Sequence, residues 1–563
     1  MSDTREFDVP VALRIHRGFV EVGGRLIHYM RQGRGPALVL LHAAPCSARV
    51  MEPLQAKWSQ HFTTFAFDLP GFGISDMVDA APLETADLAD AIAGAVQALG
   101  LKKITLYGRH TGAGVAVELA RRHPALCNFV LTDGFPVFST PYTPERLAEY
   151  LTEIKPQWDG GHLTWTWFRY REQHMFWPWD KSSLAHRADS DLPDLDFLYR
   201  GTTELLAAAD TYADVYASAF RHPGLAMIDD VKVPVVYGNR PGDSQFKTVS
   251  AYPDHVRVQV FSRDHEEAAA AELEILLQNV NDGAVPVHDD RIDGQKRSVR
   301  SYLDLELGPV YIRGEGLDDV RPPILFLPDL PGGVDLHVDE LKMLAQHGPV
   351  LGFDPWGNGN SIAADGEELS IGLWARQAVE ILRKVGYRQV RIYASGTSAA
   401  VAAECARLAP DLIDRIIFRS PPAIEADSRF VETYAPDIAP EWSGGNFLKL
   451  WHHLRDQELW WPWNQRTVAH ARRTEPRIAP AFLNRRAITL LRQPLTYRVI
   501  WQTVLAYPLT DALKTHAVPG AIVTHEQDLF AFAADAAGRL RGDRSPVALL
   551  DNGKPDFPSD LFS

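Results

Sequence analysis

Three histidines and two aspartates bear the chemistry that this chain could do. His110 stands between glycines in Tyr107-Gly108-Arg109-His110-Thr111-Gly112-Ala113-Gly114. His42 opens His42-Ala43-Ala44-Pro45, and His265 lies within Ser262-Arg263-Asp264-His265-Glu266. Asp133 and Asp243 each follow a further apolar run. Imidazole titrates near neutral pH, so a histidine can take a proton, return it, or attack as a nucleophile. A carboxylate beside it would orient the ring and favour its charged form. Three imidazoles and a carboxylate also suit zinc or iron. That minor alternative would use His42, His110 and His265; no metal and no cofactor is the leading expectation.

These residues need a scaffold. Ala37–Leu41, Thr64–Phe67, Ile104–Tyr107, Phe129–Thr132, Val233–Tyr237 and Val256–Phe261 read as strands, and Leu83–Leu99 and Gly114–His123 as helices. Strand and helix alternating in this way predict a mostly parallel α/β sheet. From Phe138 to about Gly224 the rhythm changes to helices and aromatic clusters, as an insertion over the sheet would.

The pattern occurs twice. Trp158-Asp159-Gly160-Gly161 returns as Trp442-Ser443-Gly444-Gly445, Trp177-Pro178-Trp179 as Trp461-Pro462-Trp463, and Asp68-Leu69-Pro70-Gly71-Phe72-Gly73 as Asp354-Pro355-Trp356-Gly357-Asn358-Gly359. The offsets (442 − 158 = 284, 461 − 177 = 284, 354 − 68 = 286) are nearly constant, which implies duplication. A polar, turn-rich joint lies near Asn279–Ser301. The expected domains are 1–285, with its insertion at about 139–224, and 286–563, with its own at about 424–508. At 563 residues each copy is large enough to bury a core.

Both copies resemble the α/β-hydrolase superfamily with a helical cap, the group of epoxide hydrolases and haloalkane dehalogenases. The resemblance rests on four signals in family order. His42-Ala43-Ala44-Pro45 is similar to the turn after a strand whose third residue, here Ala44, gives a backbone N–H to an oxyanion. Asp68 to Ser75 is similar to the family's Asp-x-x-Gly-x-Gly-x-Ser loop, which is mainly structural. Gly108 to Gly112 resembles the Gly-x-Ser-x-Gly nucleophile elbow. The glycines put His110 at the tip in place of the usual serine and make Thr111 N–H the second oxyanion donor. The family then implies an acid at Asp243 or Asp133 and a catalytic histidine at His265, with His110 and His265 facing each other and the acid behind His265.

Copy two departs further. His42 becomes Pro328, His110 becomes Gly396, and His265 aligns with Asn552 or Gly553, so this copy is expected to be inactive and structural. For copy one the resemblance implies a cofactor-independent enzyme. His110 would act by acid/base chemistry, hydrolytic or lyase- or hydratase-like, on a small aromatic or apolar carbonyl compound. Direct attack by His110 ranks below that. The rival reading is a non-catalytic pseudo-hydrolase that binds a ligand or serves as a scaffold.

Aromatic residues crowd the inserted segment, and most serve its core. His42, Trp158, His162, Trp165 and Trp177 are the candidate substrate contacts, and Arg169 could meet a carboxylate or pair with Glu172. A formal charge of −15 argues against nucleic acid as a partner. The polar start has no secretory pattern, and no apolar run is long enough to cross a bilayer, so no membrane partner is expected. Three cysteines without ligand spacing fit a reducing cytoplasm. A small-molecule substrate is the expected partner, and homo-oligomerisation stays open.

Overall fold

A computed structural model describes residues 14–138, 142–280, 283, 285–363, 366–515, 518–541, 547–549 and 562. The chain divides into two compact units. One is Met1–Lys155 with Trp165–Asp289, and the other is Pro156–Thr164 with Asp290–Ser563.

The first unit holds eight strands: β1 (His16–Val22), β2 (Arg25–Gly33), β3 (Ala37–Leu41), β4 (Thr63–Phe67), β5 (Ile104–Arg109), β6 (Cys127–Asp133), β7 (Val235–Asn239) and β8 (Arg257–Val260). They are ordered β1-β2-β4-β3-β5-β6-β7-β8. The β1–β2 and β2–β4 pairs are antiparallel. The pairs from β4 through to β8 are parallel. Every residue of β3 and β4 is buried, which is why both read as unbroken apolar or β-branched runs. The sequence reading assigns no strand before Ala37. The structure adds the hairpin β1–β2, turned at Gly23 (φ 57°) and Gly24 (φ 78°), a pair that meets the positive-φ demand of a tight hairpin turn.

Among the described residues four α-helices lie between β6 and β7, Pro144–Tyr150, Gly161–Glu172, Leu195–Ala207 and Tyr212–Arg221. They form the inserted segment, although residues 156–164 group with the second unit. Residues 139–141, at its expected start, lie outside the described residues.

The second unit has β9 (Ser298–Leu305), β10 (Gly308–Glu315), β11 (Ile324–Leu327), β12 (Val350–Phe353), β13 (Val390–Ser395), β14 (Ile413–Arg419), β15 (Gly520–Thr524) and β16 (Val547–Leu549). Their order, β9-β10-β12-β11-β13-β14-β15-β16, repeats that of the first sheet. Five helices separate β14 from β15, from Ser428–Thr433 to Leu509–Thr515.

The Asp68–Ser75 loop is structural in both units. Asp68 accepts hydrogen bonds from Ala48 N (2.7 Å) and Ile74 N (2.9 Å) and pairs with His28 at 2.9 Å. A Cβ at Gly73 would stand 2.0 Å from the Asp68 carboxylate, so glycine is required there. Asp354 does the same work for Val334 N (2.6 Å) and Asn360 N (2.8 Å) in the second unit.

Candidate active site

The first unit's site is built where β5 turns into the helix Thr111–Arg122 with a single residue between them. That residue, His110, has φ 45° and ψ −113°, a conformation that a side chain rarely adopts. The turn closes tightly enough that a Cβ at Gly108 would lie 2.3 Å from Gly112 O, and one at Gly112 would lie 2.2 Å from Leu41 O. Both glycines are therefore needed to bring the tip beside β3. His110 N donates to Asp133 O at 3.0 Å, and the ring lies against Gly134, where a Cβ would come within 3.1 Å of it.

The loop after β7 brings Asp243 to this ring. His110 Nε2 and Asp243 Oδ2 are 2.9 Å apart. Burial disfavours the charged imidazole, but the Asp243 charge and hydrogen bond outweigh it, so the His110 pKa is raised. Burial likewise pushes the Asp243 carboxyl up. The His110 charge and hydrogen bond, with help from Gln245 N, carry it down to about 2. An ionised carboxylate can only accept, so Nε2 carries the hydrogen, and in the neutral ring Nδ1 keeps the lone pair. Nδ1 has no hydrogen-bond partner among the described residues, and the His110 side chain is 34% exposed.

This corrects the expected relay. Asp243 does not stand behind His265; it holds His110 directly. His265 is exposed at the first turn of the helix His265–Gln278, and its Nδ1 lies 3.2 Å from Arg240 Nη1. Burial and the charges of Arg109 and Arg240 lower its pKa, so it is neutral at neutral pH. Asp133 is engaged as well. Its Oδ2 is 3.1 Å from Arg109 Nε and 3.1 Å from Arg240 Nε. Arg240 also donates to the buried Glu272 (2.6 Å), which accepts from Tyr107 OH at 3.1 Å. Asp133 thus neutralises two arginines rather than serving as the acid behind His265.

His42 is wholly buried, with Nδ1 2.9 Å from Ala43 O and Nε2 accepting from Leu69 N at 3.0 Å. Both nitrogens are engaged by backbone groups, one in its own turn and one in the Asp68–Ser75 loop, which leaves neither for the expected substrate contact or for a metal without rearrangement. His42, His110 and His265 are not among the groups whose ligand atoms converge within 4.8 Å in the described residues. Ala44 lies in the loop after β3 and Thr111 opens the helix after His110, and no hydrogen bond engages the N–H of either among the described residues.

Trp158 and His162 group with the second unit, whereas His110 belongs to the first. Trp158 is 71% exposed, and His162 accepts from Gln157 N (3.1 Å) and lies 2.9 Å from Asn484 Oδ1. Trp165 sits at the surface with its ring edge-on to Trp179, and Trp177 packs on Tyr150. Residues that the sequence reading passes over include Arg109, Arg240, Glu272 and His174. Arg109 stands within the quoted elbow motif beside His110, and Arg240 stands three residues before Asp243.

The corresponding turn of the second unit is filled. Gly396 has φ 48°, and a Cβ there would lie 1.8 Å from Asp329 Oδ1. Thr397 Oγ1 accepts from Leu330 N at 2.7 Å, which occupies the N–H corresponding to that of Ala44. Asp528, the counterpart of Asp243, is held by Arg419 (3.0 and 2.9 Å) and Ser420 (2.7 Å). Asn552 and Gly553, aligned with His265, lie outside the described residues.

Residues 36–219 match the family model of the alpha/beta hydrolase fold. The first unit carries the α/β-hydrolase fold. Among curated hydrolases of this fold the chain is 33% identical over 132 residues to 2-(acetamidomethylene)succinate hydrolase of Mesorhizobium japonicum, covering 23% of this chain and 46% of that protein. It is 29% identical over 102 residues to (E)-2-((N-methylformamido)methylene)succinate hydrolase of Acinetobacter baylyi, covering 18% and 38%. The matches span less than half the length of either relative. A solved structure of E-2-(acetamidomethylene)succinate hydrolase aligns over 47% of this chain and 98% of its own, with 20% identity and a TM-score of 0.35. No helix among the described residues is long and apolar enough to cross a membrane.

Proposed function

We propose that the first unit is a cofactor-independent enzyme in which His110 replaces the serine of the hydrolase elbow and acts by acid/base chemistry on a small carbonyl compound. The 2.9 Å pair between His110 Nε2 and Asp243 Oδ2 carries this reading. It leaves Nδ1 without a hydrogen-bond partner among the described residues, as a base needs, and gives the imidazolium a counter-charge once a proton has been taken. Nδ1 would remove a proton from water or from carbon beside the carbonyl. The N–H groups of Ala44 and Thr111 would stabilise the oxyanion or enolate that develops. The proton on Nδ1 then returns to the leaving group or product. Hydrolysis and lyase- or hydratase-like chemistry share these steps, and the hydrolase relatives favour hydrolysis. His265, set apart by Arg240, assists only from the rim.

The second unit is structural, and the shared strand order supports duplication of one ancestral domain. The enzyme would work in the cytoplasm on a small molecule, without nucleic acid or membrane, alone or as a homo-oligomer. The rival, a non-catalytic ligand-binding protein, draws support from the missing His265–Asp243 link. A hydrolysis screen of activated esters, amides and enamides decides between them. Turnover by the full chain that is lost in His110→Ala supports the enzyme. Turnover that persists in His110→Ala refutes the role of His110.

A further inference from the structure

The inserted segment of the first unit contains a cation without an anion. Arg169, on the helix Gly161–Glu172, is 2% exposed. Its Nη1 donates to Gln173 Oε1, and its guanidinium lies 4.7 Å from the Trp179 ring centre and 5.9 Å from that of Tyr150. Nε and Nη2 are buried with no hydrogen-bond partner, and no carboxylate among the described residues pairs with it. The alternative left open by the sequence, a salt bridge to Glu172, is not formed. A buried guanidinium without a carboxylate is a costly arrangement that proteins keep where an anion completes it.

A second orphan stands beside it. His174 Nε2 is buried with no partner. Burial, then the charges of Arg169 and His110, hold its pKa down to about 4. His174 is therefore neutral and within electrostatic reach of both the arginine and the proposed base. The same helix meets the oxyanion turn, because Tyr170 OH lies 3.4 Å from the Cys46 Sγ, two residues beyond Ala44. Arg169 and His174 thus lie together on the inserted segment, with His174 within electrostatic reach of His110.

The second unit shows the same place without such a need. Its counterpart of Arg169, at the offset of 284, is His453. His453 Nδ1 meets Tyr497 OH at 2.7 Å and Nε2 meets Gln457 at 3.1 Å, so both nitrogens are satisfied internally. The counterpart of His174 is Glu458, which pairs with Arg477 and Arg486, each at 3.3 Å. One unit closes this region upon itself; the other leaves a cation and a polar nitrogen unanswered.

We propose that Arg169, assisted by His174 Nε2, binds a carboxylate of the substrate, so that the compound presented to His110 is an anion rather than a neutral aromatic. A guanidinium offers two parallel N–H groups to a carboxylate, and Nε with Nη2 is such a pair. This rests on the first unit's site being the working site, but it does not need His110 to be catalytic.

The test uses the full chain, succinate and benzoate as carboxylate probes, and succinamide and benzamide as their neutral counterparts, read by calorimetry or ligand-observed NMR. At least one carboxylate should bind and its amide should not. Arg169→Gln should weaken that binding tenfold or more, and Arg169→Lys should recover part of it. His110→Asn should leave binding within about threefold, so that failure of the catalytic reading and failure of the anion site are told apart. Equal binding of acid and amide, no binding of either acid, or binding unchanged in Arg169→Gln would overturn the proposal. Thermal melting without probe gives a second readout. Removing an uncompensated buried cation should leave Arg169→Met as stable as the parent or more so, whereas a fall of several degrees would assign Arg169 to the packing of the inserted segment.

Discussion

Asp243 Oδ2 sits 2.9 Å from His110 Nε2, so the acid of this site addresses the elbow residue itself and not the histidine after the last strand. The arrangement makes a pH prediction. Asp243 raises the His110 pKa against the opposing effect of burial. A base must be neutral, so turnover should be lost as pH falls through that raised value. Asp243→Asn removes the charge, and the acid limb should move to lower pH while the maximal rate drops. NMR titration of the His110 ring should show the same downward shift. For stability the sign is the reverse. The pair supports the fold fully between the unfolded carboxyl and histidine pKa values of about 4 and 6.5; the support is lost as pH rises through the raised His110 value or falls toward the Asp243 value of about 2. An unmoved acid limb in Asp243→Asn would disconnect the two residues functionally.

Replacing His110 separates activity from stability. His110→Ala should lower turnover by about a hundred- to ten-thousand-fold, the usual worth of a general base. His110→Gly should lose activity to the same extent and yet be more stable than His110→Ala by about 1 kcal/mol, because glycine accepts a positive φ that costs other residues about 1–3 kcal/mol. Gly396, at φ 48°, shows that the same turn is comfortable with glycine. His110→Ser should not restore turnover, since Asp243 would then face a hydroxyl without a base. Denaturant midpoints and initial rates on the same preparations check this, and a His110→Gly no more stable than His110→Ala would mean that the positive φ at this turn costs nothing.

The sequence showed the elements well wherever burial forced a pattern. β3 and the tip at His110 were readable because a fully buried strand is apolar throughout, and because two glycines bracket any turn this tight. The opening hairpin was not, since its strands mix buried and half-exposed residues and carry charge at Arg17, Glu21 and Arg25. The partners of the acids were also out of reach. Order along the chain places Asp133 and Asp243 at the right end of the sheet, but which cation each one meets depends on side-chain reach across loops. Arg240, three residues before Asp243, takes Asp133 and Glu272 and separates His265 from the pair. The inserted segment was harder still: at a duplication offset of 284, Trp158 and Trp442 look equivalent, yet Trp158 groups with the unit that is not its own copy.

Arg240 offers a stability prediction. It is buried, and it answers both Asp133 and Glu272. Burial pushes the Glu272 pKa up, with the charge of Asp133 adding to it, so the carboxylates depend on this arginine. Arg240→Ala leaves them with Arg109 alone. Removing one partner of a buried pair costs about 3–5 kcal/mol, and the first unfolding transition in urea should shift accordingly. Glu272→Gln in the same background should recover part of the loss by removing a charge. A midpoint within error of the parent for Arg240→Ala would show that water already screens the cluster.

The second unit should resist being given a nucleophile. Its tip is closed from two sides, since Asp329 stands where a Cβ at Gly396 would go, and Thr397 Oγ1 takes the Leu330 N–H. Ser395 and Ser398 flank the tip, but the first donates to Asp329 at 3.1 Å and the second to the Pro328 carbonyl. Neither hydroxyl has a histidine to activate it among the described residues. A fluorophosphonate probe, which reports serine nucleophiles paired with a base, should therefore leave the parent chain unlabelled at Ser395, Ser398 and Thr111. Gly396→Ser should also stay unlabelled and should lose about 1–3 kcal/mol, because the new Cβ both displaces Asp329 and adopts a positive φ. Adding Asp329→Ala should relieve the overlap and return part of that stability while still giving no label, as Asp528 remains bound to Arg419 and offers no relay. Intact-protein mass spectrometry reads the labelling, and thermal melts read the stability. Stoichiometric labelling of the parent at any of these hydroxyls would bring back an ordinary serine mechanism and remove His110 from the centre of the reaction.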